Sequence, residues 1–414
     1  MNKKLFNISR RFSINEKIIR LFLKLSLKID PIHRPHFVTK KSECLYQNQI
    51  NQVSSNNCKS LRLRILTYPW HIPHQYELYK LGYHFTLIVD AGSWHTTGWN
   101  FDLRPIPPNI EFKSIRDINV RDYDLAILHF DENVLSPQNC YSQVDLDWGK
   151  TFKYFREKID LPKIAICHGT HQFYGQCNLN YKGSNLLEII EPECLKLVDY
   201  LDSILVITNS YQAQSEWQFK NSKVVWHGFD PDEFPLTTYA KGILSPYGQA
   251  VISRPHYRGY HIYHDVIKRL PPDSQPSTLS VKIPDNYTSA NHYAQLKFQN
   301  YVNNIRKYSI YFNPTVRSPM PRSRGEAMMC GLVTVSLKNH DVDKFVENGV
   351  NGFYADTAKE LAEILCYLME HPEETRNIGL KSRELAIKTF HIDRFLNDWK
   401  TIIEKTLGIS IDDL

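Results

Sequence analysis

Apolar residues in this chain gather in short unbroken runs separated by helix-length stretches. Leu63 to Tyr68 (LRILTY), Phe85 to Val89, Leu125 to His129 (LAILH), Lys163 to Cys167 (KIAIC), Ile204 to Thr208 (ILVIT) and a shorter Lys223 to Trp226 read as strands. Between the first two lie a Pro and His loop, a helix-like stretch through Tyr76 to Leu81, and Gly82 as its stop. Strand, helix, glycine and strand in so short a span form a βαβ unit, which implies a parallel sheet. Three of the strands end in polar or small residues: His129 and Asp131, His168 to His171, and Asn209 with Ser210. In an open parallel sheet the carboxyl ends of the strands border the ligand crevice, so chemistry is expected there.

Beyond Phe234 the pattern is looser. Val251 to Ser253 reads as a strand edge and His261 to Leu270 as a helix closed by Pro271 and Pro272. Lys307 to Phe312 is apolar and aromatic, Leu332 to Ser336 (LVTVS) is a strand, and Lys359 to Glu370 is an amphipathic helix. Two further helices follow, over about 373 to 389 and 392 to 404. The 414 residues exceed the usual size of one core. The expected division is a basic extension and linker over 1–60, an α/β domain over 61–240, a second over 241–390, and a last helix over 391–414 returning to the first.

Composition narrows the class. The net charge of +6 is misleading, because residues 1 to 64 hold fourteen Lys or Arg against three Asp or Glu, a balance of +11 that leaves −5 for the rest. A nucleic-acid enzyme more often carries its positive charge on the folded body, so no nucleic-acid partner is expected. The eight cysteines form no CxxC pair, which argues against a zinc knuckle or disulfide scaffold and fits a reducing, cytosolic setting. No run of eighteen apolar residues is present. Ile18 to Ile29 (IIRLFLKLSLKI) places Arg20, Lys24 and Lys28 on one helical face and Ile18, Leu21, Phe22, Leu25 and Ile29 on the other. Two readings stand for it: an in-plane contact with the inner face of a membrane, or a helix packed on the protein's own surface.

The most informative stretch is Asn313 to Gly331, NPTVRSPMPRSRGEAMMCG. Pro319 and Pro321 hold the chain out of helix, Ser323 is expected to cap the helix that follows, and Glu326 stands three residues on, as in a capping box. A helix start offers unpaired N–H groups to a diphosphate. An ionised carboxylate offers acceptors to the vicinal hydroxyls of a ribose. Arg254 and Arg258, four apart in SRPHYRGY before Gly259, supply two-pronged phosphate donors. The plainer readings are a helix cap and surface arginines.

With these residues the chain resembles a GT-B glycosyltransferase of the large retaining family (group 1) that includes bacterial polysaccharide and lipopolysaccharide transferases. GEAMMCGLVTVS, FVENGVNGFYAD and a helix ending MEHPEE carry the likeness, and HGFDPDEF at 227 to 234 is similar to the family's signature closing the first domain. The resemblance implies an α/β fold of GT-B architecture, two Rossmann-like domains facing across a cleft. It implies a nucleoside-diphosphate sugar as donor, a glycan or lipid-linked glycan as acceptor, retention of configuration and no metal. It places Arg254, Arg258, Ser318, Arg322, Arg324, Gly325 and Glu326 around the donor. The family has two glutamates with seven residues between them; Glu326 matches the second, which contacts the ribose, while Ser318 stands where the first contacts the donor sugar. The family's phosphate-binding Arg and Lys are five apart, against four here with Arg258 for the Lys. Arg322 and Arg324 read either as compensating cations or as solvent-facing loop charges.

In the first domain, His168 of HGTH is the positional match of a histidine that reaches toward the donor sugar, and so joins Arg254 and Arg258 as a catalytic candidate. Metal binding by His129, His168 and His171 is the rival reading, without a usable carboxylate in the motif. Trp70, His71 and His74 in PWHIPHQYE, with Trp94 and Trp99, are candidates for stacking on an acceptor sugar or for core packing. Asp131 and Glu132 are a base or an acceptor ligand on one reading and a solvated pair on the other. Competing functions are a non-catalytic carbohydrate-binding protein, favoured by Ser318, and a GT-B epimerase; a phosphorylase would need a cofactor lysine that no motif supplies.

Overall fold

A computed structural model describes residues 63–90, 98–135, 143–171, 192–237, 240–246, 257–318 and 320–409. The basic extension, the 18–29 segment, Trp94, Arg254 and the 251–253 strand expectation lie outside the described residues.

The first half is built on a seven-stranded, wholly parallel sheet in the order β3-β2-β1-β4-β5-β6-β7. The strands are β1 (Arg64–Thr67), β2 (His84–Asp90), β3 (Ile110–Ser114), β4 (Leu125–Phe130), β5 (Lys163–Cys167), β6 (Leu205–Thr208) and β7 (Ser222–Val224). Helices α1 (Ile72–Tyr79), α2 (Gln143–Lys158), α3 (Pro192–Tyr200) and α4 (Tyr211–Trp217) accompany them. The apolar runs are strands because both faces are covered: Leu66, Ala126, Leu128 and Ala165 pack on one side, Ile65, Ile127, Ile164 and Ile207 on the other. The chain winds outward from β1 to β3 and then returns to start β4, so the strand order reverses between β1 and β4. At such a reversal the two connections leave in opposite directions and a crevice opens at the strand ends.

The second half carries a parallel sheet ordered β11-β10-β9-β8, from β8 (Ile243–Leu244), β9 (Ile310–Asn313), β10 (Val333–Leu337) and β11 (Phe353–Ala355). Its helices are α5 (Tyr260–Arg269), α6 (Ala290–Ile305), α7 (Arg322–Met329), α8 (Val342–Phe345), α9 (Ala358–Glu370) and α10 (Pro372–Phe390). α9 opens with a complete capping box between Thr357 and Glu360. The final helix, α11 (Ile392–Leu407), buries Ile392, Phe395, Trp399, Ile402 and Ile403 against the first sheet's core. Those positions share one helical face. Among the described residues no helix is long and apolar enough to cross a membrane.

Two local expectations fail for identifiable reasons. Pro73 does not prolong a loop: it sits in the first turn of α1, where a missing N–H costs nothing, so the helix begins at Ile72 and carries His74, Gln75 and Glu77 inward. Ser323 is not the cap of α7. Pro321 is the N-cap, with no side-chain cap bond, and the Ser323 hydroxyl lies 2.7 Å from the Tyr311 hydroxyl instead.

Candidate functional site at the strand ends

The carboxyl ends of β1 and β4, at the point of reversal, deliver a cluster of imidazoles. His129 comes from β4 itself, His168 follows β5, and His71 and His74 flank the start of α1. His227 arrives from the segment after β7 and contacts His74, Nδ1 to Nδ1, at 3.3 Å. His129 Nδ1 lies 3.0 Å from His168 Nε2. The His168 ring lies nearly parallel to those of His71 and Trp70, and Trp70 is backed by Trp148 at 4.4 Å between centroids. Burial disfavours the charged form of each imidazole: His71 is lowered to about 4 and His129 to about 3, and His74, His168 and His227 fall well below the ordinary histidine value. The nearby Arg322 guanidinium adds to the effect at His71, His74 and His227.

The rest of the HGTH loop is structural. Glu132 is buried, and its Oε2 accepts the Thr170 backbone N–H at 3.0 Å. It is therefore not half of a solvated pair. His171 lies 3.3 Å from Glu216, away from His129 and His168. Among the described residues no group of three His, Cys, Asp or Glu is arranged to hold a metal ion. Trp99 belongs to the core, its indole N–H donating to the Arg104 carbonyl at 2.7 Å.

Across the cleft, α7 presents Glu326. Its carboxylate is buried, accepting from Arg322 Nε at 3.0 Å on Oε1 and from the Tyr301 hydroxyl on Oε2. Arg322 also reaches the first half, with Nη2 3.0 Å from Glu77 Oε1. The same oxygen of Glu77 takes Arg104 Nη2 at 2.9 Å, and its other oxygen takes Lys80 Nζ at 2.9 Å. Arg104 and Lys80 in turn pair with Glu233. Arg322 and Arg324 are thus not solvent-facing loop charges. Both lie on α7, and Arg324 is fully buried, donating through Nη2 to the His340 carbonyl at 2.6 Å. Glu77, Arg104 and Tyr301, absent from the sequence expectations, complete this network; their partners are too distant in sequence for any motif to announce them.

Gly259, at φ +70, caps α5, and a Cβ there would meet the Pro314 carbonyl at 1.9 Å. This close approach lets the Tyr257 carbonyl accept the N–H groups of Val316 and Arg317, which sets Arg258 beside the chain that leads to Ser318. Gly325 is equally constrained, since a Cβ would lie 2.3 Å from the Phe229 ring on which the Arg322 guanidinium rests at 4.6 Å. Gly325→Ala is expected to destabilise the protein by about 1–3 kcal/mol through overpacking. Urea denaturation measures this, and an unchanged midpoint would mean that Phe229 yields freely.

Beside the helical site, one carboxylate bridges the halves. Asp341, held at φ +62 after β10, accepts the Tyr211 and Gln212 N–H groups of α4 at 2.6 and 2.9 Å and the Trp226 indole N–H at 2.9 Å. It satisfies the first two orphan donors of α4, and Ser210 satisfies the third through the Ala213 N–H.

Residues 268–401 match a family model described as Glycosyl transferase-like. Similar solved structures include HepE of Anabaena in complex with UDP-glucose, at 17% identity, covering 84% of this chain and 99% of that chain with a TM-score of 0.53. Sucrose-phosphate synthase from Thermosynechococcus elongatus aligns at 12% identity over 84% of this chain and 100% of that chain, TM-score 0.55. A glycosyltransferase from Rickettsia africae aligns at 14% identity over 84% and 99%, TM-score 0.53. A search of curated protein sequences gave no significant match. The fold is the α/β, GT-B architecture that the sequence resemblance implied.

Proposed function

We propose that the chain is a glycosyltransferase that moves a hexosyl group from a nucleoside-diphosphate sugar to a hydroxyl of a glycan or lipid-linked glycan, with retention and without a metal ion. The observation that carries this reading is the placement of Glu326. Its carboxylate stands in the second turn of α7, with each oxygen holding one protein donor and keeping a further lone pair. A ribose diol supplies two donors of matching kind. The stretch that bears Glu326 also lies inside the segment that matches the Glycosyl transferase-like model, and the Anabaena neighbour is a complex with UDP-glucose.

In the mechanism, Arg254, Arg258 and the backbone N–H groups that open α7 receive the diphosphate as its bond to the sugar breaks, so negative charge develops against fixed donors. Arg322 balances Glu326, and Arg324 fixes the loop after β10. His168 faces the sugar from the first half, and Trp70 beside it offers a flat surface to the acceptor. Closure of the halves excludes water from the sugar as it is transferred. Ser318 favours a second reading, a nucleotide-sugar binding protein without turnover, because a hydroxyl replaces the carboxylate expected against the donor sugar.

Calorimetric titration with UDP-glucose and GDP-mannose tests the site. Glu326→Gln and Arg258→Ala are each expected to weaken binding about 10-fold to 100-fold, the loss of a charge-assisted hydrogen bond. Binding untouched by either substitution would overturn the assigned site, and binding without sugar transfer or hydrolysis would select the second reading.

A further inference from the structure

We infer that Gln75 and His129 are positioning residues that hold His168 in one neutral tautomer, with the proton on Nδ1 and a bare Nε2. The inference rests on the proposed transferase only for the identity of the group that His168 Nδ1 meets; the tautomer itself follows from the protein's own hydrogen bonds.

A backbone amide sets the first proton. Trp70 N–H donates to the Gln75 side chain at 2.8 Å, and an N–H needs an oxygen, so that atom is Oε1 and the opposite atom is the amide nitrogen. The nitrogen's donation to the Tyr68 carbonyl at 2.9 Å agrees with this orientation. The same nitrogen lies 2.9 Å from the Tyr79 hydroxyl and 3.0 Å from His129 Nε2, so its second proton is shared between these two. Two N–H groups cannot face one another at that distance, so His129 Nε2 carries a lone pair. The Thr67 hydroxyl, 3.1 Å from the same ring nitrogen, is a second polar neighbour there. A neutral imidazole has one proton, which places it on His129 Nδ1. That N–H points at His168 Nε2, 3.0 Å away, which must therefore be bare as well. The remaining proton of His168 sits on Nδ1.

The ring that transmits this choice is immobile. His129 is fully buried, and the Tyr68 hydroxyl both accepts its backbone N–H at 2.9 Å and donates to its carbonyl at 2.6 Å. His168, by contrast, is partly exposed. The arrangement runs from a fixed buried amide to the one imidazole of the pair that borders the cleft. Burial also opposes charging of either ring. A neutral Nδ1–H donor recognises an oxygen acceptor, such as a sugar hydroxyl. It does so without setting a full positive charge beside an anomeric carbon that becomes cationic as the leaving group departs. An imidazolium in the same place would oppose that charge development.

Long-range ¹⁵N–¹H correlation spectra of histidine-labelled full-length protein read the tautomer directly. His168 is expected as the Nδ1–H form in the unmodified protein. His129→Asn should preserve it, because the asparagine Nδ2–H stands in for the lost Nδ1–H. Gln75→Glu should invert it, since a carboxylate oxygen demands a proton on His129 Nε2, and the inversion passes along the pair. With UDP-glucose or GDP-mannose as donor, kcat is expected to fall ~10-fold to ~100-fold in Gln75→Glu with KM little changed, and to recover in His129→Asn. An Nε2–H form of His168 in the unmodified protein, or the same tautomer in Gln75→Glu, overturns the inference. The expected tautomers without turnover of either donor leave the positioning pair standing and count against the transferase instead.

Discussion

Lowering the pH from 7 to about 4.5 is expected to unfold the protein, with the steepest loss of stability starting near pH 6. His74, His129 and His227 are fully buried and neutral in the fold, and their folded values lie below the ordinary histidine value near 6.5. Below that value the unfolded chain binds protons that the folded chain refuses. Stability therefore falls as pH falls, and the decline ends only where the folded imidazoles titrate, at about 4 for His71 and about 3 for His129. A group that stays neutral in the fold contributes at most about 1.4 kcal/mol per pH unit, a sizeable share of a typical total of about 5–15 kcal/mol. The geometry explains why the rings refuse protons. His227 Nε2 faces the Met320 carbonyl and must donate, so its Nδ1 accepts from His74 Nδ1–H, and His74 Nε2 has no partner among the described residues. A proton added there would be a buried charge without an acceptor. His227→Gln, which keeps the donor to Met320, should flatten the pH dependence by one group. A melting temperature that does not change between pH 6.5 and 4.5 would refute the account.

Replacing Glu77 with glutamine is expected to cost about 3–5 kcal/mol, measured by urea denaturation at pH 7. The Glu77 side chain has no exposure, and it is the meeting point of Lys80, Arg104 and Arg322. Its removal leaves those cations against Glu233 and Glu326 alone, inside a region where each charge has already lost its water. Arg104 has little room to move, since its guanidinium is stacked over the Phe298 ring at 3.4 Å and over Tyr76 at 4.6 Å. Breaking such a network by one partner is costly, whereas its removal as a whole could be neutral. A loss below about 1 kcal/mol would mean that water or a shifted side chain replaces the carboxylate. Donor binding should weaken in the same variant, because Arg322 joins Glu77 to Glu326 and sets the rotamer of the latter.

What could be read from the sequence follows from burial. The central strands β1, β4, β5 and β6 are apolar runs because both of their faces are covered, and they stand within a residue or so of where the pattern puts them. β3, IEFKS, is an edge strand that is mostly half-exposed, and β8 is two residues long, so neither leaves a pattern. α6, ANHYAQLKFQNYVNNI, is mostly polar and buries Ala294, Val302, Asn304 and Ile305. Its place is set by contacts with the first half, including Tyr293 and Lys297 on Asp102 and Asn291 on Ile106. Short motifs frame Glu326, Arg258 and His168, so their positions on α7, at the start of α5 and at the end of β5 follow from the sequence. The network through Glu77, Arg104 and Tyr301 does not, because a salt bridge spanning 245 residues, as between Arg322 and Glu77, has no local signature. Ser323 misled for a physical reason: a proline two residues earlier already sets the turn that a capping serine would have set.

The Asp341 carboxylate carries a last consequence for how this molecule moves. Because it terminates the amide row at the head of α4 while belonging to the opposite half, the halves cannot part without exposing the Tyr211 and Gln212 N–H groups, nor can that helix keep its first turn sealed while they part. Cleft opening and fraying at one helix tip are therefore a single event. The separation of the halves is registered in the hydrogen-bonding of Tyr211 and Gln212.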